Sequence, residues 1–133
     1  MLHHLSFAVT DLTRSATFYD AALAPLGYVR TFTQESGAGR KESAVGYGRP
    51  GAEDGFAIRL REQGVAAPSE GFHVAFTAPS QEAALAFHQA ALANGGRDNG
   101  GAGFHPEHGP NYFAAFIIDP DGYRIEAVVD EKA

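Results

Sequence analysis

The chain has 133 residues, 44% of them hydrophobic, which is enough for one compact domain with its own core and too short for two ordinary ones. Its formal net charge of -6, with ten lysines and arginines spread without a cluster, leaves no electrostatic footprint for nucleic acid or an anionic membrane. No cysteine is present, so a disulfide framework and a thiolate metal site are excluded, and any metal would have to be held by nitrogen and oxygen.

The first residues show no basic segment followed by an apolar core, and no apolar run reaches the length of a membrane span, so a soluble cytoplasmic protein is expected. Leu5, Phe7 and Val9 alternate as in a half-buried strand, which puts His4 and Ser6 on its other face. Asp11 in TDLTRS is a helix-start signal, and residues of good helix propensity follow as far as Gly27. The runs YVRTFTQ, SAVGYG and FAIRLRE then read as three short strands separated by turns. A second series repeats the order. Phe72, Val74 and Phe76 alternate, Ser80 in PSQEA starts a helix that ends near Asn94-Gly95-Gly96, and GGRDN to GFHP, NYFAAFIID and YRIEAVV make three more strands.

The two series are copies of one another. A shift of 69 lays His4 over His73, Phe7 over Phe76, Phe18 over Phe87, the AALA of 21–24 over that of 90–93, and Gly27 over Gly96. Near the ends of the copies a shift of 67 lays Asp54-Gly55 over Asp121-Gly122, each read as a tight hairpin turn, and Arg59 over Glu126. The repeat thereby marks four related positions, His4, His73, Arg59 and Glu126, all on the polar faces of their strands.

Two histidines and one carboxylate have the composition of a facial triad with coordination positions left open. The neighbours on those faces are small, Ser6 and Ala8 in one copy, Ala75 and Thr77 in the other, which leaves room for a ligand. The plain alternative is that each histidine ends a strand and Glu126 pairs with Arg124 or Lys132 at the surface. Arg59 stands where an unbroken duplication would supply a second carboxylate; a guanidinium stays protonated and does not ligate metal, but it can clamp a carboxylate or phosphonate. His3 falls on the Leu5 face and reads as packed or at a strand end. His88 reads as structural or surface, and His105 and His108 sit in a Gly/Pro-rich loop of the kind that presents functional groups.

HHLSFAVTDLTRSATFY, GFHVAF and DPDGYRIEAV together resemble the vicinal oxygen chelate superfamily, which includes glyoxalase I, extradiol dioxygenases, fosfomycin resistance proteins, methylmalonyl-CoA epimerase and bleomycin resistance proteins. The resemblance covers essentially the whole chain, 1–133. It implies an α+β fold of two βαβββ modules, about 1–65 and about 70–130, curled as a mixed sheet around a cleft, usually in a homodimer. By motif, His4, His73 and Glu126 take the metal-ligand positions, with Fe, Mn, Zn or Ni as the divalent ion. Members with a fourth protein ligand carry it where Arg59 stands, which sets the chain apart from isomerase chemistry. The extradiol dioxygenase signature is approached by His108, Ala115-Phe116, DPDG and Glu126, with Phe116 in the tyrosine's place and Tyr112 nearby. The resemblance therefore implies a small-molecule enzyme, dioxygenase-like or lyase- or transferase-like, with His108 as its acid/base residue and Arg59 and Tyr112 binding substrate. The alternative is a metal-free small-molecule binding protein of the bleomycin resistance type.

Overall fold

The computed structural model describes residues 1–34, 43–61 and 63–129. Strand β1 (Leu5–Val9), helix α1 (Leu12–Leu23), β2 (Val29–Gln34), β3 (Ala44–Gly48) and β4 (Phe56–Leu60) form the first unit. Strand β5 (Val74–Ala78), α2 (Gln81–Ala93), β6 (Arg97–Phe104), β7 (Phe113–Ile118) and β8 (Arg124–Val129) form the second. Each unit folds into a four-stranded mixed sheet with the same strand order, β1-β4-β3-β2 and β5-β8-β7-β6. In each, the first and last strands pair in parallel and the remaining neighbours are antiparallel. No helix among the described residues is long and apolar enough to cross a membrane.

The helices start where the sequence signals place them. The side chain of Asp11 accepts from the Arg14 N–H and that of Ser80 from the Ala83 N–H, each satisfying a donor that the first turn leaves free. After α1 the chain turns through a short 3-10 segment, Ala24–Leu26, and leaves it at Gly27 with φ 90, a left-handed conformation that glycine adopts without strain. Phe18, Tyr19 and Leu23 of α1 and Phe87 and Ala91 of α2 are fully buried against the inner faces of the sheets, where Val9, Ile58, Ile117 and Ile125 also lie. Alternation along each strand then fixes what the other face carries.

The two units are joined through the turn before β8. Asp119, 2% exposed, accepts from the Tyr19 hydroxyl and from the N–H groups of Asp121 and Tyr123. Asp121 accepts from the Thr10 N–H and hydroxyl, from Arg14 and from the buried Ser15 hydroxyl, at 2.7 to 3.3 Å. The Tyr123 ring stacks on Phe7 at 4.1 Å, and its hydroxyl donates to the Ala8 carbonyl at 2.7 Å. A buried carboxylate is tolerable only when its lone pairs are met, and here donors from both units meet them. The DPDG segment is thus a latch of the second unit on the first.

Asp121-Gly122 makes the expected tight hairpin, with the Gly122 N–H donating to the Asp119 carbonyl at 3.0 Å and the Asp119 N–H to the Tyr123 carbonyl at 2.8 Å. Asp54-Gly55 does not, its connector turning at Arg49–Ala52 instead. Residues 49–55 join β3 to β4, and residues 119–123 join β7 to β8, so the two connectors also differ in length. A match of one Asp-Gly pair over the other therefore does not carry over to sheet register. Ser6 pairs with Ala57 in the first sheet and its counterpart Ala75 pairs with Glu126 in the second. Ala57, not Arg59, holds the place that corresponds to Glu126; Arg59 lies two residues further on, opposite Ala8.

Candidate functional site

The outer face of the second sheet is laid out in rows by its pairing. Glu126 sits between Ala75 and Phe116. One row toward the start of β8, Arg124 pairs with Ile118 on one side, and His73, just before Val74, stands beside it on the other. The intervening Ile125 and Ala127 point into the core. The segment between β6 and β7 folds over this face, closed at its base by the His105 N–H to the Tyr112 carbonyl at 2.8 Å and turned by His108 N–H to His105 carbonyl at 3.0 Å. A cleft of about 400 Å³ results, whose lining includes His73, His105, His108, Tyr112, Phe116 and Glu126.

Glu126 is only 4% exposed, and its hydrogen-bond donor is the Tyr112 hydroxyl at 3.0 Å. Burial, then the Glu126 charge, push the Tyr112 hydroxyl up to about 12, so it stays protonated and continues to donate at neutral pH. Glu126 forms no ion pair with Arg124 among the described residues. In place of the surface ion pair considered with Arg124 stands a buried carboxylate facing a cleft, and the alternative pair with Lys132 lies outside the described residues. His105 Nδ1 stands 3.2 Å from Glu107, its ring lies edge-on to Phe116 at 4.5 Å, and its Nε2 is buried without a hydrogen-bond partner. His108, half exposed, packs at 5.2 Å from Tyr112.

His4 and Arg59 lie on the outer face of the first sheet. His4 is exposed, its Nδ1 2.8 Å from that of His3, and His3 in turn reaches Glu53 at 3.5 Å. His3 is therefore an exposed partner of His4 rather than a packed residue. Arg59 Nε donates to the Ser6 hydroxyl at 3.5 Å. The face between them is built from small residues, Ala8, Ala44, Gly46 and Ala57, and a Cβ placed on Gly46 would come within 2.7 Å of the Asp54 side chain, which occupies that space. The fold thus brings His73, His108, Tyr112 and Glu126 to one cleft and leaves His4 and Arg59 on the other sheet. Among the described residues of one chain, no three His, Asp or Glu side chains form a group able to hold a metal ion.

Sequence reading passed over Arg124 and undervalued His105, both of which line the cleft. The signal for Arg124 was available, since residues two apart on a strand share a face. His88 pairs with Asp98 at 2.9 Å on the far side of β6, in line with a structural part.

The family model described as Glyoxalase/Bleomycin resistance protein/Dioxygenase superfamily matches residues 1–127. A solved glyoxalase/bleomycin resistance protein from Albidiferax ferrireducens T118 is 28% identical over 96% of each chain, with a TM-score of 0.71. Glyoxalase I from Zea mays is 25% identical with a TM-score of 0.70; the match covers 96% of this chain and 45% of the maize protein. A glyoxalase-related enzyme from Fulvimarina pelagi, 19% identical with a TM-score of 0.66, shares the fold over 98% of this chain. No curated protein matches the sequence.

Proposed function

Since the chain belongs to the Glyoxalase/Bleomycin resistance protein/Dioxygenase superfamily, we propose that it is a small metal-dependent enzyme whose divalent ion is held by His73 and Glu126 of one chain and His4 of a second copy. The observation that carries the reading is Glu126: a carboxylate 4% exposed, facing a cleft beside His73, whose charge is matched among the described residues by a single hydroxyl donor. Buried charges are normally paired or engaged with a metal. An imidazole and a carboxylate suit Fe(II), Mn(II), Zn(II) or Ni(II) alike. They make half of a site, and the exposed His4 of a neighbouring copy is the ligand that the repeat supplies for the other half.

When bound, the ion would act as a Lewis acid on neighbouring oxygens of a small substrate. The chain's own residues have separate tasks. Tyr112 holds the Glu126 carboxylate in one orientation through its hydroxyl. His108, on the loop over the cleft, is placed to take or give a proton at its exposed ring. Phe116, Tyr112 and the two loop histidines wall the cleft with rings and limit water. Arg59, carried with His4 on the face of the second copy, would receive an anionic part of the substrate. The reaction is dioxygenase-like or lyase- or transferase-like, in a cytoplasmic homodimer.

Tag-free protein, titrated with Fe(II), Mn(II), Zn(II) and Ni(II), is expected to bind one ion per site, with at least about a hundredfold weaker binding in Glu126→Ala and His4→Ala. His4→Ala and Glu126→Ala subunits mixed in equal amounts and allowed to re-associate should recover about a quarter of the sites, because about half of the dimers are then mixed and one of the two composite sites in each mixed dimer keeps both contributions. Failure of the parent to bind any of the four ions would sink the enzyme reading. It would leave a metal-free binding protein of the bleomycin resistance type, a reading favoured by the lack of a three-ligand group within one chain among the described residues.

A further inference from the structure

The cleft contains one cation that neither the motif nor the proposed chemistry uses. Arg124 is the sole arginine or lysine among the described residues that line it, and glutamates 70, 107 and 126 are there as well. Its guanidinium reaches Glu70 at 3.8 Å, but the Glu70 side chain is 92% exposed, so the pair is solvent-screened and leaves most of the five N–H donors unspent. Arg124 rises from β8, a strand flanked on both sides by β5 and β7, which fixes its root in the interior of the sheet. It stands in the row beside His73 and one row from Glu126 on the same face.

We infer that Arg124 is an anion-binding residue, and that the ligand of this cleft is a small ring-bearing carboxylate whose acid group docks on Arg124 at the end remote from Glu126. Three features of the cleft select this class. A planar, delocalised guanidinium matches a carboxylate with two parallel hydrogen bonds, which an ammonium does not. Phe116 flanks Glu126 on the next strand and offers a flat wall for a ring or conjugated chain. Glu107 and Glu126 repel an anion from the rest of the cleft, so of the lining residues that one chain contributes Arg124 is the one that accepts the acid group. Two residues along a strand span about 7 Å, and a disubstituted six-membered ring bridges that distance with its acid at one end and its oxygen donors at the other. This assignment rests on the reading of the cleft as the ligand site, but not on a metal being bound there.

The test uses full-length, metal-free protein and two probes of equal shape, benzoate and benzamide, titrated by calorimetry. Benzoate should bind at least about tenfold tighter than benzamide, Arg124→Gln should erase the difference, and Arg124→Lys should restore part of it. Equal binding of the two probes by the parent, or benzoate binding unchanged in Arg124→Gln, overturns the assignment. Far-UV circular dichroism and thermal melting check that the variants are folded. Zn(II) titration of the same proteins separates the two readings: Arg124→Gln should hold zinc at least as well as the parent. A parent that discriminates benzoate but binds none of the four ions refutes the metal reading and upholds the role of Arg124.

Discussion

At residues 119–123 the turn before the last strand carries Asp119 and Asp121, both turned into the joint between the units, whereas at the matching place in the first unit Asp54 folds back over Gly46 of its own sheet. The donors explain the contrast. Thr10, Arg14 and Ser15, which hold Asp121, have Pro79, Ala83 and Ala84 as counterparts in the second copy, and none of these offers a side-chain hydrogen bond. The outer faces diverge in parallel. Where the second sheet pairs Phe116 with Glu126, the first pairs Gly46 with Ala57. Duplication has left one copy with the joint and the carboxylate, and the other with a shallow face that carries a histidine and an arginine.

The largest expected effect is at the joint. Asp121→Ala strands the buried Ser15 hydroxyl and takes the shared carboxylate from Thr10 and Arg14, and should cost about 3 kcal/mol of unfolding free energy in urea. Asp54→Ala, its counterpart, should cost about 0.5 kcal/mol. Equal losses in the two variants would mean that the asymmetry of the turns has no energetic content.

Asp119 gives an effect of similar size through pH. Burial pushes its carboxyl up to about 6 from 3.8, against the opposing pull of its hydrogen bonds with Tyr19, Tyr123 and Asp121. Between these values the folded chain keeps a proton that the unfolded chain has lost, so stability is greatest below about pH 4 for this group and declines as pH rises through 6. The contribution is about 3 kcal/mol. Urea melts of the parent and Asp119→Asn from pH 4 to 7 should differ in slope across this window, with the variant flatter. A parent whose stability, relative to Asp119→Asn, does not fall across it would contradict the shift.

A smaller effect probes the first face. Gly46→Ala places a methyl 2.7 Å from Asp54 and should cost about 1–3 kcal/mol, relieved when Asp54→Gly is added. A double-mutant cycle with no coupling would show that Asp54 does not occupy that space.

Much of the fold was legible because it rests on local pattern. Alternation gave the strands, Asp11 and Ser80 gave the helix starts, and the shift of 69 gave two units of matching order. Of the site, the repeat and the motif pointed to His73 and Glu126, which the fold brings to one cleft. Other features escaped because they depend on contacts that no local signal encodes. The equivalence of Arg59 and Glu126 was drawn from matching turns, while register is set by pairing across strands after connectors of unequal length. The burial of Glu126 depends on Tyr112 and a loop that folds back over the strand. The latch joins Thr10 to Asp121 across most of the chain, so nothing near either residue announces it.

That separation along the chain has a consequence for assembly. Every latch contact runs between the segment from Phe7 to Tyr19 and the segment from Asp119 to Tyr123, and the units also meet where α1 packs on α2, where Tyr28 donates to the Thr77 carbonyl and where Phe56 lies edge-on to Phe76. Such a joint is indifferent to whether its halves come from one molecule or two. Copies of this chain that exchange halves at high concentration would re-form each of these hydrogen bonds and the ring stack intact, at the cost of opening one connector.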